Sequence, residues 1–259
     1  MIDLHTHILP ATDDGPTTVE ESLAALSLLA REGVTDIVLT PHFGADYTAI
    51  LPAELQARAH GLQRLAKYGG IPVRLSAGHE VDVHENVEEL VASGTVATIN
   101  DGPYVLFNLS SSIPIGFVRK LTSRLRFAGY IPIFSHIEQY TPAQADTEEL
   151  VPVVDAGGLL MVTACSFLGR TGEVARQTAE MLLRRNMVHV IASGTRAAED
   201  SRPEFLAGVR VAARIAGVQA ARDLVGKVPQ TIIRGDPFQV PPVRSLVPRN
   251  ARSFWGFNR

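Results

Sequence analysis

Histidines and acids recur where short apolar runs end. His5 and His7 lie two apart in IDLHTHILP, His42 closes TDIVLTPH, Glu80 closes IPVRLSAGHE and His136 closes YIPIFSH. Residues two apart on a strand share a face, so His5 and His7 present two imidazoles to one place. Such a pair commonly holds a metal ion; the competing reading is two hydrogen-bonded polar residues in the mouth of a fold. Asp13 and Asp14 follow in the loop DDG. Imidazoles mixed with carboxylates suit zinc, manganese or iron, whereas calcium takes all-oxygen shells. Four of the eight histidines occupy run ends, too many to read as isolated structural residues. The other four, His60, His79, His84 and His189, read as bystanders, and on a regular strand His79 points away from Glu80.

These side chains need a scaffold that brings run ends together. Apolar runs at 1–7, 35–42, 71–80, 104–110, 130–136, 158–164 and 187–193 read as seven strands. Helical spacing fills the intervals. Thr18 and Glu21 make a capping-box pattern before one helix, and Gly33 is placed to stop it. Further helices are expected over 52–68, 86–92, 115–127, 147–156, 173–185, 204–216 and 219–225. Near-continuous apolar strands, each followed by a helix, predict an α/β fold with a buried parallel sheet. An open doubly wound sheet fits that pattern, but a closed barrel fits better, because polar residues end nearly every strand and barrel active sites lie at that rim.

The 259 residues suffice for one large domain, expected over 1–235. With 46% hydrophobic residues, 20% charged residues and a net charge of −3, the chain is an ordinary globular one with no basic excess for nucleic acid. A single cysteine, Cys165, excludes an internal disulfide and reads as a buried small apolar residue. No apolar run reaches the roughly 18 residues of a membrane span, and no signal peptide opens the chain, so a cytoplasmic location is expected. Residues 236–259 are rich in proline and arginine and read as a surface extension, with Phe254, Trp255 and Phe257 leaving docking open.

MIDLHTHILPATDDGP, TPH, GHEVDV, NLS, SHIEQY and HVIAS, in this order and spacing, resemble the PHP-type (polymerase and histidinol phosphatase) metal-dependent phosphoesterases. Within them the similarity is to the bacterial protein-tyrosine phosphatases of capsule and exopolysaccharide synthesis, on which IDLHTHILP followed by DDG is specific. The resemblance runs to about residue 235 and implies a distorted (β/α)7 TIM-like barrel. It implies a trinuclear centre, often manganese, with iron or zinc as alternatives, held by His5, His7, Asp14, His42, Glu80 and His136, with Glu80 bridging. It also implies an arginine that clamps phosphate, matched by Arg202 if the loop carries one extra residue.

Four positions depart from the pattern this resemblance implies. Asn108 stands for a glutamate, Gln139 for a phosphate-facing arginine, Gly194 for a ligand aspartate and Arg196 for a ligand histidine. The changes at Asn108, Gly194 and Arg196 alone make the metal-ligand positions three charges more positive before any metal enters, and Gln139 takes one positive charge away beside them. Two unit charges about 4 Å apart interact by roughly 4 kcal/mol at an effective dielectric near 20, so an inward Arg196 opposes a neighbouring divalent ion. Fewer than three ions are expected, with Glu199 or Asp200 as replacement ligands or Arg196 binding an anion directly. The expected function is hydrolysis of phosphotyrosine in a protein, such as a bacterial tyrosine kinase tail, by a reduced metal centre, and self-association is implied. The alternative is a catalytically impaired relative that binds phosphate or a phosphorylated partner through Arg196 and Arg202. A phosphatase of a small metabolite fits the DDG loop less well, and a generic amidohydrolase would need the aspartate that Gly194 replaces.

Overall fold

The computed structural model describes residues 1–44, 47, 50–196 and 204–245. Its strands are β1 (Ile2–Thr6), β2 (Asp36–Leu39), β3 (His42–Phe43), β4 (Arg74–Ala77), β5 (Glu80–Asp82), β6 (Tyr104–Asn108), β7 (Ile131–Phe134), β8 (Leu159–Thr163) and β9 (Val190–Ala192). All pairings are parallel, in the orders β1-β2-β4 and β3-β5-β6-β7-β8-β9.

Two runs read as single strands are each broken in two. The run 35–42 becomes β2 and β3, interrupted at Thr40 and at Pro41, which has no backbone N–H to give a ladder. The run 71–80 becomes β4 and β5, interrupted at Gly78 and His79. A Cβ on Gly78 would lie 3.1 Å from both Thr98 O and Ile99 Cα, so the close crossing requires glycine. The ladder nevertheless carries on through both breaks, with Gly78 N donating to Leu39 O at 3.0 Å and Glu80 N to Pro41 O at 3.1 Å. At the other edge Gly194 N donates to His5 O at 3.1 Å and His7 N to Thr195 O at 2.8 Å, joining the end of β9 to β1. Asp3 Oδ1 takes Ser193 N at 3.0 Å across the same seam. The seven strand positions thus form a ring, the distorted parallel α/β barrel that the sequence predicts.

Helices cover the outside. The helix Val19–Arg31 opens with the reciprocal bonds of a capping box between Thr18 and Glu21, and Gly33 follows it at φ +89°. Other helices are Pro52–Tyr68, Val87–Ala92, Ile115–Phe127, Thr141–Ala145, Val151–Asp155, Glu173–Arg184, Glu204–Ala216, Val218–Leu224 and Lys227–Arg234. The helix expected over 147–156 is a 3-10 turn, Thr147–Leu150, followed by Val151–Asp155. The amphipathic Lys227–Arg234 is an addition to the sequence reading.

Period-two alternation sets what enters the barrel. Leu4, Val38, Tyr104, Leu106, Ile131, Ile133, Leu159, Met161, Val190 and Ala192 form an inner apolar cluster, distinct from the larger cluster under the helices. Continuing those inner columns by two residues reaches Thr40, Asn108, Ser135, Thr163 and Gly194. On β1 the pairing register shifts between Asp3 and Thr6, and His5, within that irregularity, and His7, just past it, face the barrel mouth.

Candidate metal centre

Glu80 is the hub. It is fully buried, and its Oε1 lies 3.3 Å from His5 Nε2 and 3.8 Å from His136 Nε2. Its Oε2 lies 3.5 Å from His7 Nε2 and 3.1 Å from His42 Nδ1. The Ser135 hydroxyl donates to Oε1 at 2.5 Å and fixes the carboxylate. His136 itself sits in the left-handed region at φ 48°, which turns its ring back over the mouth just after β7.

The far sides of the rings are tied down. His5 Nδ1 meets Thr40 Oγ1 at 2.7 Å, His7 Nδ1 meets Asp13 Oδ2 at 2.7 Å and His136 Nδ1 meets Thr163 Oγ1 at 2.6 Å. The Asp13 carboxylate can only accept, so His7 carries its proton on Nδ1 and turns a lone pair on Nε2 toward Glu80. His42 is stacked on Tyr47, ring centroids 4.6 Å apart and planes 12° from parallel. Burial, neighbouring imidazoles and Arg196 push His136 down to about 3; His5 falls well below its usual value for the same reasons. His42 falls to about 4, chiefly through burial and His7. These rings are neutral near pH 7, the form that ligates metal. Burial raises Glu80, opposed by His7 and the Ser135 hydrogen bond.

Three buried atoms at the hub, His7 Nε2, His42 Nδ1 and Glu80 Oε2, have no hydrogen-bond partner. Lone pairs that converge in a dry site and remain unpaired are costly, and a cation satisfies all of them at once. Donor atoms of His5, His7 and Glu80 fall within 4.8 Å of one another, as do those of His7, Asp13, Asp14 and His42. The residues present therefore fit a divalent ion.

The β6 and β9 side of the mouth has another character. Asn108 Nδ2 donates to Asp82 Oδ1 at 3.0 Å. Gly194 is at φ +65°, a backbone that favours glycine, and offers no side chain. Arg196 turns inward and donates from Nε to Asp14 Oδ2 at 2.8 Å. Asp14 keeps its other oxygen 3.8 Å from both His7 Nδ1 and His42 Nε2, so it is shared between the histidines and the guanidinium. Partial burial raises the Asp14 pKa, but the hydrogen bond and charge of Arg196, with His7 and His42, together outweigh this and the net shift is downward. Asn108, Leu109, His136, Gln139, Tyr140 and Arg196 line a cavity of about 220 Å³ beside the cluster.

The structure thus gathers His5, His7, Asp14, His42, Glu80, His136, Asn108, Gly194 and Arg196 at one mouth. Arg202, Glu199 and Asp200 lie outside the described residues. The bystander assignment fits His79, whose Nδ1 takes Ala97 N at 2.9 Å, away from the hub. Sequence reasoning overlooked Thr40, Ser135 and Thr163, which extend the inner strand columns by one step, and it named Asp13 without its hold on His7.

The family model for capsular polysaccharide synthesis, CpsB/CapC, matches residues 1–234. The chain belongs to the CpsB/CapC family. Among relatives, the tyrosine-protein phosphatase YwqE of Bacillus subtilis (strain 168) is 28% identical over 74% of this chain and 76% of its own. The tyrosine-protein phosphatase CpsB of Streptococcus pneumoniae is 26% identical over 90% of this chain and 98% of its own. A solved structure from the work on YwqE and CpsB, described there as metal-dependent tyrosine phosphatases, matches with a TM-score of 0.87 at 24% identity, covering 95% of this chain and 100% of that one. This CpsB/CapC member shares their fold over almost its full described length. No helix among its described residues is long and apolar enough to cross a membrane.

Proposed function

We propose that this CpsB/CapC member is a metal-dependent phosphatase of phosphotyrosine in proteins, with a reduced metal centre. The observation that carries the reading is the buried Glu80 set among four imidazoles, with His7 Nε2, His42 Nδ1 and Glu80 Oε2 left for a cation. His5, His7, Glu80 and His136 would hold one ion, with His42 and Asp14 available for a second; manganese is the metal we favour. Bound there, divalent ions supply Lewis-acid neutralisation of phosphoryl charge and lower the pKa of water. The chain's own groups do the rest. Thr40, Asp13 and Thr163 fix the imidazoles, and Ser135 fixes Glu80. Arg196 replaces charge that a third ion would bring: its guanidinium lines the adjoining cavity and matches phosphoryl oxygens. Gln139 lines the same cavity as a neutral donor, and Arg202 is a second candidate clamp. The proposed substrate is the phosphotyrosine tail of a bacterial tyrosine kinase that governs capsule or exopolysaccharide synthesis, met in the cytoplasm.

The test is metal analysis of protein purified without chelator, followed by hydrolysis of a phosphotyrosine peptide with and without added manganese. Fewer than three ions per chain with manganese-dependent turnover is expected. Three tightly held ions would overturn the reduced centre. No metal and no turnover, with the peptide bound through Arg196, would replace the enzyme by a phosphate-binding relative.

A further inference from the structure

The barrel has a second cavity, of about 460 Å³, at the end opposite the histidine cluster. The strands run toward the cluster, and His189 stands immediately before β9, so it lies at the far end. The walls are mostly apolar, from Leu183, Val188, Leu224, Val228, Phe238 and Pro241, with Asn186, Thr231 and Gln239 also on the lining. The volume falls in the roughly 300–1,000 Å³ range of small-molecule sites.

His189 lines this cavity and is 1% exposed. Its Nδ1 accepts the Leu160 N–H at 2.9 Å. In a neutral ring the proton therefore sits on Nε2, and that buried donor has no partner in the protein. Burial drives the imidazole pKa down to about 4, so the ring remains neutral. A buried donor with nothing to bond is costly, and a ligand that supplies an acceptor recovers that cost.

One wall is a strap. Tyr104 donates its hydroxyl to Asp236 O at 2.6 Å, and Arg244 N donates to Arg185 O at 2.8 Å. Between these anchors Phe238 meets the imidazole in a T-shaped contact, centroids 6.2 Å apart. At the rim Asp223 and Lys227 balance in charge, and the deep wall is apolar, so a charged ligand group would lose its hydration without recompense.

We propose that this cavity binds a small, uncharged, largely apolar molecule carrying one carbonyl or hydroxyl oxygen, which accepts the His189 Nε2–H as Phe238 moves off the ring. The site is independent of the metal cluster. It is tested on the full chain labelled with 15N-histidine, titrated with acetophenone and with ethylbenzene, which has nearly the same shape and no acceptor. Acetophenone should shift the His189 ring resonance saturably and bind about tenfold more tightly than ethylbenzene, the ratio one hydrogen bond provides. His189→Asn keeps an acceptor near Leu160 N–H but lacks the Nε2 donor, and it should level the two affinities. Ala220→Trp fills the cavity from an exposed helix position and should abolish binding of both. The proposal is overturned by the absence of a saturable shift at His189, by equal affinities in the unaltered protein, or by binding that survives Ala220→Trp.

Discussion

The mouth of the barrel has two halves built by the same rule and carrying opposite charge logic. The half made by β1, β3, β5 and the end of β7 is dry, with neutral imidazoles around one carboxylate and lone pairs that lack partners. The half made by the ends of β6 and β9 carries an amide, a bare backbone and a guanidinium already bonded to Asp14. The first is arranged for a cation from solution. The second carries its cation covalently. Under the proposed function, the difference teaches how a phosphoryl-binding site could keep its positive charge with fewer ligands, because a fixed guanidinium requires no ligand set of its own.

The largest expected effect removes the hub of the first half. Glu80→Gln keeps the shape but takes the negative charge from between four imidazoles. We expect metal content to fall below one ion per chain and turnover of a phosphotyrosine peptide to drop by more than about 100-fold, with thermal unfolding of the metal-free protein little changed. Retained metal in Glu80→Gln would show that the first half does not hold the ion.

Arg196→Ala tests the second half. It frees Asp14 and removes the cation facing the cavity. Inhibition by inorganic phosphate should weaken roughly 10- to 100-fold while manganese affinity rises, a split that a merely structural arginine would not produce. Pairing Gly194→Asp with Arg196→His should go further and raise metal content by about one ion per chain. The backbone at φ +65° opposes the aspartate, at a cost of about 1 kcal/mol, and Asp tolerates that region better than most residues. Unchanged occupancy would mean that the second half is not a converted metal site.

A smaller effect separates holding a ring from being a ligand. Thr163→Val removes the hydroxyl 2.6 Å from His136 Nδ1. Metal affinity should fall about tenfold, with recovery in Thr163→Ser. Loss without recovery would point to packing.

The sequence made the first half legible and the second half only by contrast. His5, His7, His42, Glu80 and His136 end apolar runs, which made them legible, although the register shift in β1 and the left-handed turn at His136 are also needed to bring them together. The kink that splits the third strand was not legible, because it arises where Gly78 passes close to the backbone at Thr98 and Ile99, whereas the break in the second falls at Pro41. Nor was the direction of Arg196. A long flexible side chain after a strand can face solvent or the mouth, and the choice was settled by Asp14, 182 positions away in the chain. Thr40, Ser135 and Thr163 look like ordinary strand-end residues until the inner columns are counted by twos.

The smallest effect extends the comparison to a histidine outside the cluster. Unlike the rings around Glu80, His189 is shifted by burial alone, which holds it at about 4 against 6.5 for a free imidazole. The folded state keeps it neutral while the unfolded state takes up a proton as pH falls below 6.5. Its contribution to stability is therefore full above that value and is lost progressively from 6.5 down to about 4. Between pH 7.5 and 6.0 the loss should be about 1 kcal/mol for this residue, measured by urea unfolding of the metal-free protein. The imidazoles around Glu80 add a separate pH dependence that metal suppresses, since a ligated ring cannot protonate. In the holoprotein the dependence that remains should come from buried groups off the metal, His189 and His79 at about 4 and, opposing them, Asp3 raised to about 6. His189→Asn should reduce it by that amount, and an unaltered slope in that variant would mean that His189 is not held neutral by the fold.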